Sequence, residues 1–422
     1  MTNAREPRKP WTVLAYTVAD DKQGHPLDTS AQKELKAICD AADFDQVSIA
    51  AQVDFDQPKG VFRGTLTSAP PKSRGFEDIR AEDHPLWRRI LGDVDAERSV
   101  VHVQRERKDL SAARANVLQQ FLRFGQKECP AERYVVFFYG HAYGPFGLFC
   151  DRATGARTLD TLRLNDLAGS LETTDGRAGV VVFRDCFMNT LETAYQLKDA
   201  AEFMIASQSL APIGGVWPWN DFLATLAPSA DTIDVGRAIA QQLAHFLDER
   251  PAHRDGFAAV PYSLLDLGAA EAFAAPLASL VEALEAARTD PARARACAAA
   301  LEGARVGSPR SEKAPGDPAL LDVPTMCERL AALSGHPVAA PARALGAVVR
   351  SRLVRWHHSQ TDAHKGTSLF YKPVRRRDLE QTFLQADDEK VAAEDAAYYR
   401  TLALSKATRW DRIALQPFPV SD

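Results

Sequence analysis

The sequence predicts an α/β protein: a three-layer α/β/α sandwich on a mostly parallel central sheet, with a mainly helical C-terminal subdomain. Three observations carry this expectation. Two short, continuously apolar runs, 134–139 (YVVFFY) and 179–183 (GVVVF), are each followed by turn residues, the pattern of fully buried parallel strands. Helix-period stretches alternate with apolar runs through the first half of the chain, and a β-α-β-α-β order implies a doubly wound sheet. From about residue 251 the chain turns Ala-rich and helical. At 422 residues it exceeds one ordinary core. We therefore expect one large domain over 1–250 and a subdomain over 251–422, with one or more strands returning to the core.

In order, residues 11–19 read as a strand ending at Asp20 and Asp21. A helix follows over about 29–42, with Leu35 and Ile38 inward, then a strand at 47–53 whose hairpin partner is 61–66. Residues 67–95, rich in Pro, Ser and charge, read as a surface excursion. A helix over about 110–126 leads through Pro130 into the run at 134–139. Residues 147–160 are expected to be an exposed loop. The run at 179–183 gives way to a helical pattern over about 188–199. Beyond 251 come helices at 268–290 and 291–305, a polar loop at 307–318, helices around 325–334 and 340–353, and a strand at 365–373. There is no internal repeat.

Composition narrows the function. Hydrophobic content of 45% and charge of 25% are those of a soluble globular protein. A net charge of −5 argues against nucleic acid as a principal partner. No apolar stretch follows the charged N-terminus, so no secretory signal is expected. No run of about 18 apolar residues points to a membrane span. Cys39, Cys129, Cys150, Cys186, Cys297 and Cys327 lack CxxC spacing. Neither a disulfide framework nor a zinc site is expected, and the compartment expected is the cytoplasm.

Chemistry concentrates where the two apolar runs end. The first stops at Gly140, His141, Ala142, Tyr143 and Gly144; the second stops at Arg184, Asp185 and Cys186. In open α/β sheets ligands gather beyond the carboxyl ends of strands, so His141 and Cys186 are candidate neighbours. A free thiol titrates near 8.5 and only its thiolate is a strong nucleophile. A helix starting at 188 would favour negative charge on Cys186, and an imidazole within reach would take the thiol proton. Backbone N–H groups beside such a Cys are natural donors to an oxyanion. Taken singly, Cys186 reads as a small buried hydrophobe and His141 as a loop or cap residue.

The arrangement strand–His–turn–Gly, then strand–Arg–Asp–Cys–helix, resembles the clostripain-like cysteine peptidases of the caspase–haemoglobinase clan. PWTVLAYTVADD (10–21) and VSIAAQVDF (47–55) resemble the family's first two strands. FMNTLETAYQL, with Glu192 and Tyr195, resembles its helix after the Cys, and EFMIASQSLAPIGGVWPW (202–219) its next strand and Gly/Trp loop. LLDVPTMCERLAAL (320–333) and KGTSLFYKP (365–373) are similar to later segments. The resemblance implies a caspase-like fold and a cysteine endopeptidase. Cys186 would attack the scissile carbonyl, His141 would protonate the leaving amine, and the N–H groups of Cys186 and Ala142 would hold the oxyanion. No metal or other cofactor is implied for the chemistry, although some relatives depend on calcium. Cleavage between His141 and Cys186 activates many members, which makes Arg152 and Arg157 candidate sites; otherwise they are solvated loop arginines.

The departures bear on specificity. The family usually has Asp two residues before the Cys, lining a pocket for a basic side chain; here Arg184 stands there and Asp185 follows it. Acidic residues usual after Ala-Ser are replaced: Ala206 and Ser207 precede Gln208, Ser209 and Leu210. Arg184, Asp185, Asp20, Ser207 and Gln208 are thus the candidate substrate-binding residues. A basic P1 side chain needs a desolvated carboxylate, and Arg184 would repel it, so Arg or Lys is not the expected preference. An unpaired Arg184 implies acidic P1; one neutralised by Asp20, Asp21 or Asp185 implies small or apolar P1; Arg184 in an ion pair elsewhere leaves the pocket's base unassigned. Ala142 replaces the family's usual Gly after the His, which is tolerable where φ is negative. The expected role is a narrow-specificity regulatory or defence protease acting on a dedicated protein partner, such as a pore-forming or effector protein. The alternative is an inactive scaffold or binding module that keeps the fold.

Overall fold

A computed structural model describes residues 8–19, 27–41, 46–55, 60–66, 77–80, 101–105, 111–151, 160–172, 177–212, 215–306, 319–372 and 389–419. Asp20, Asp21, Arg152, Arg157 and the polar loop 307–318 lie outside them. The first half contains β1 (Lys9–Val18), α1 (Leu27–Ala41), β2 (Val47–Phe55), β3 (Gly60–Leu66), β4 (Glu77–Arg80), β5 (Val101–Arg105), α2 (Ala115–Glu128), β6 (Ala131–Tyr139), β7 (Leu148–Asp151), β8 (Asp160–Leu162), α3 (Leu164–Glu172), β9 (Ala178–Phe183), α4 (Leu191–Gln196) and β10 (Ala201–Ser207). The remainder contains α5 (Trp219–Ala224), α6 (Thr232–Glu249), β11 (Tyr262–Asp266), α7 (Ala270–Ala287), α8 (Pro291–Glu302), β12 (Leu320–Asp322), α9 (Val323–Ala331), α10 (Ala339–Val348), β13 (Val354–His358), β14 (Ser368–Phe370), α11 (Glu389–Tyr399), α12 (Ala403–Thr408) and α13 (Asp411–Ala414).

Ten strands form one sheet in the order β13-β11-β10-β9-β6-β1-β2-β3-β5-β4. The middle five, β10-β9-β6-β1-β2, run parallel; the strands outside them pair antiparallel. Parallel strands need both faces covered, and the sequence meets that demand with period-2 alternation of apolar residues. Val135, Phe137 and Tyr139 of β6 join one core with α1, α5 and α6, whereas Tyr134, Val136 and Phe138 join a second with α2, α3, α4 and α7. The result is the three-layer α/β/α sandwich. Its second core continues through α8, α9 and α10 to Trp410 and Phe418.

The C-terminal region enters the sheet through β11 and β13, and β12 pairs with β14 separately. Residues Leu267–Ala287 are long and apolar enough to cross a membrane by length and composition, which the sequence reading did not register. In the fold, Phe273, Leu277, Leu280 and Leu284 of this segment are buried in the core. Three local expectations need correction. Glu77–Arg80, within the expected excursion, pairs with β5 in the sheet. The segment after Gly147 is no exposed loop at its start: β7 pairs with β8, and Leu148 and Phe149 are buried. The helix expected from 188 begins at Leu191. The Asn189 N–H bonds the Ser207 carbonyl, the Asn189 carbonyl accepts from Ser368 N–H, and the Thr190 side chain caps Thr193 N–H. Tertiary partners thereby take the backbone that a longer helix would have used.

Candidate active site

β6 and β9 are neighbours, and their register is what aligns the two candidate residues. Phe183 pairs with Phe138, 45 positions upstream, and Cys186 follows His141 by the same interval. Pairing persists one residue beyond β9, where the Arg184 N–H donates to the Phe138 carbonyl at 2.9 Å. Adjacent strands lie about 4.8 Å apart, so both residues emerge at one level of the same sheet edge.

A tight turn fixes His141. Its carbonyl accepts from Phe149 N–H (2.6 Å), and Tyr143 N–H donates to the Gly147 carbonyl (2.8 Å). Neither bond uses the Ala142 N–H, and Ala142 is not among the residues of positive φ, so the replacement of Gly is accommodated. Gly147 is required: at φ 121° an added Cβ would come within 2.4 Å of the Leu162 carbonyl oxygen. Phe149 takes the left-handed conformation (φ 63°) although it carries a side chain. Packing against Tyr16 and Phe138 holds it there.

Cys186 lies half-buried in the turn after β9. The Ala211 N–H points at its Sγ from 3.4 Å, a donor that favours the thiolate. Phe187, the next residue, is also left-handed (φ 60°) and donates its N–H to the Ser209 carbonyl at 2.9 Å. A left-handed residue with a Cβ costs about 1–2 kcal/mol, and such strain concentrates at functional sites. Since α4 starts five residues beyond Cys186 and spans six, Sγ has the Ala211 N–H as a donor rather than the expected helix terminus. The other described free thiols are buried. Burial raises Cys129 and Cys327 to about 12 and Cys297 to about 11, leaving them inert as nucleophiles.

The candidate substrate-binding residues are placed differently from expectation. Arg184 is fully buried: its Nη1 pairs with Glu34 Oε2 of α1 at 2.7 Å, and its Nη2 donates to the Gly215 carbonyl at 3.0 Å. Its guanidinium stacks over Tyr139 (4.5 Å) and Trp217 (5.3 Å). Glu34 also accepts from Trp217 N–H (3.2 Å) and Trp219 Nε1 (2.7 Å), so the pair ties the Gly/Trp loop to α1. Among the described residues the ion-pair partner of Arg184 is therefore Glu34 and not Asp185, so the unpaired arrangement does not occur. Asp185 is fully buried, and burial holds its carboxyl well above the usual carboxylate range against the opposing Arg184 charge.

Ser207 and Gln208 are buried too. The Ser207 Oγ accepts from Ser209 N–H. Gln208 donates to Asp322 Oδ2 and Ser368 Oγ, both at 3.1 Å, and accepts from Gly366 N–H at 2.8 Å. These bonds fasten β10 to the C-terminal region. Asp20 lies outside the described residues. Glu34, Ala211, Phe149 and Phe187 were not singled out from sequence. Glu34 alone left a signal, a charge on the Leu27–Ala31–Leu35–Ile38 face of α1.

A caspase-like sandwich carrying a His and a Cys on adjacent strand ends defines the class: a cysteine protease. The chain belongs to the clostripain family, whose family model matches residues 83–313; it is a cysteine endopeptidase by that membership. No curated protein matches the sequence. Among solved structures, a secreted C11 cysteine protease from Bacteroides thetaiotaomicron in complex with an irreversible peptide inhibitor is similar at TM-score 0.63 and 14% identity, over 95% of this chain and 99% of that one. An inactive zymogen C11 protease from Parabacteroides distasonis is similar at TM-score 0.60 and 16% identity, over 96% and 99%. These likenesses establish the shared fold.

Proposed function

We propose that this chain hydrolyses peptide bonds through a Cys186/His141 dyad and prefers a small or apolar P1 residue. The observation that carries the dyad is the shared register of β6 and β9, which delivers His141 and Cys186 to one sheet edge. The Cys186 thiolate, stabilised by the Ala211 N–H, attacks the scissile carbonyl carbon. The resulting oxyanion takes hydrogen bonds from the N–H groups of Cys186 and Ala142. The His141 imidazolium gives its proton to the leaving amine, and a thioester remains on Sγ. His141 then takes a proton from water, whose oxygen attacks the thioester and releases the acid and the thiol.

Charge at Arg184 supports the specificity. A basic P1 side chain needs a carboxylate waiting for it, yet Glu34 is committed to Arg184, and burial pushes the Asp185 carboxyl well above the usual carboxylate range. An acidic P1 side chain needs an available cation, and Glu34 has neutralised it. A pocket closed to both charges favours few protein substrates over general digestion.

The test is a peptide library cut by wild type, with Cys186→Ala as control. Cleavage after small or apolar residues, lost in the control, is the expected result. Cutting after Arg or Lys overturns the specificity; proteolysis that survives Cys186→Ala overturns the dyad.

A further inference from the structure

Asp185 stands immediately before the nucleophile, with none of its side chain exposed. Neither of its oxygens has a hydrogen-bond partner among the described residues. The hydroxyl of Tyr262, a buried residue of β11, lacks one as well. Both groups belong to one electrostatic neighbourhood, since Asp185 and Cys186 each act on the Tyr262 hydroxyl. A buried charge without hydrogen bonds would be prohibitive, whereas a carboxylic acid held neutral in an apolar site can donate.

Resting on the dyad reading, we propose that Asp185 is a positioning residue that works as a neutral acid. Paired with the Tyr262 hydroxyl once the site is engaged, it steadies the nucleophile turn without setting a second negative charge beside the thiolate. Its charged surroundings are few. Among the described residues, Arg184 and Cys186 flank it in sequence, Tyr139 of β6 and Tyr262 of β11 feel its charge, and Glu34 of α1 pairs with Arg184. The Arg184 charge opposes the burial of Asp185 but is shared with Glu34, its ion-pair partner among the described residues. Burial still raises its carboxyl.

The sign of the pH effect follows. A carboxyl raised by the fold contributes stability that is fully present below the ordinary carboxylate range and is lost as pH rises through its folded value. Asn has the same shape as the neutral acid and does not titrate.

The experiment uses the full chain. Thermal melts from pH 5 to pH 9 compare wild type with Asp185→Asn, and iodoacetamide alkylation of Cys186 is followed by peptide mass across the same range. The variant's Tm should exceed that of wild type by a margin that widens as pH rises, and the alkylation midpoint should stay within about 0.3 pH units of wild type. Asp185→Ala, which removes the donor, should lower kcat about 10–100-fold, and Asp185→Asn should restore most of that loss. Tyr262→Phe should lower kcat in the same direction. A midpoint that falls by about one unit in Asp185→Asn, as expected when a neighbouring charge is removed, overturns the neutral acid. So does a variant that fails to fold or melts below wild type at pH 8. The melts read Asp185 whether or not the chain cuts peptides, and Cys186 alkylating no faster than Cys129 would count against the dyad alone.

Discussion

Asp322 and Asp185 are buried alike and differ in company. Asp322 Oδ1 caps α9 through Thr325 N–H (2.9 Å), and Oδ2 accepts from Gln208 Nε2 (3.1 Å) and Lys365 N–H (2.8 Å). Nearby, Glu192 Oε1 takes bonds from Phe370 N–H (2.9 Å) and the Tyr399 hydroxyl (2.6 Å). These carboxylates join β10 and α4 to segments more than a hundred residues away. At the nucleophile turn the same chemistry is left short of partners, and two residues flank the site in left-handed strain. With both oxygens bonded Asp322 serves the scaffold, whereas Asp185 has neither oxygen bonded among the described residues and stands in a turn flanked by strained residues.

The sharpest way to break this contrast is to orphan a charge. Glu34→Ala removes the carboxylate that pairs with the buried Arg184 and should destabilise the fold by about 3–5 kcal/mol, measured by chemical denaturation. Glu34→Gln, milder in shape, should move P1 preference toward acidic residues if it folds. An unchanged P1 profile would mean that Arg184 does not face the pocket. A smaller loss is expected in the joint. Asp322→Ala strands the donors of Gln208, Lys365 and Thr325, for about 2–3 kcal/mol, and activity should track the folded fraction. Loss of activity in a fully folded Asp322→Ala would erase the distinction between joint and site.

How legible these regions were in sequence follows from the range of their contacts. His141 and Cys186 stand out because each apolar run stops abruptly at a polar residue, a local signal. Their alignment depends on β6 lying next to β9, which the topology of parallel sheets makes a short list of options. Glu34 is 150 positions from Arg184 in sequence, and no local pattern names a partner at that distance. Ser207 and Gln208 read as pocket residues because the resembled family carries acidic residues after its Ala-Ser. Only the docking of β12 and β14 shows that the Gln208 side chain is consumed by Asp322 and Ser368. Helix α4 was read too long for the same reason, its first expected turn being claimed by Ser207 and Ser368.

That shortened helix yields the smallest effect and a clean separation of two sources of thiolate support. The Thr190 Oγ1 accepts from Thr193 N–H at 3.1 Å and caps α4. Thr190→Ala should therefore lower stability by about 1 kcal/mol, a modest fall in Tm. Dipole effects fade within the first turn of a helix, and Cys186 lies beyond that turn, in contact instead with the Ala211 N–H. Loss of the cap should leave the pH midpoint of Cys186 alkylation where it was. A midpoint that rises with the loss of the cap would return the helix terminus to the mechanism. A fixed midpoint beside a lowered Tm would assign the thiolate to the Ala211 N–H and leave Thr190 with the scaffold.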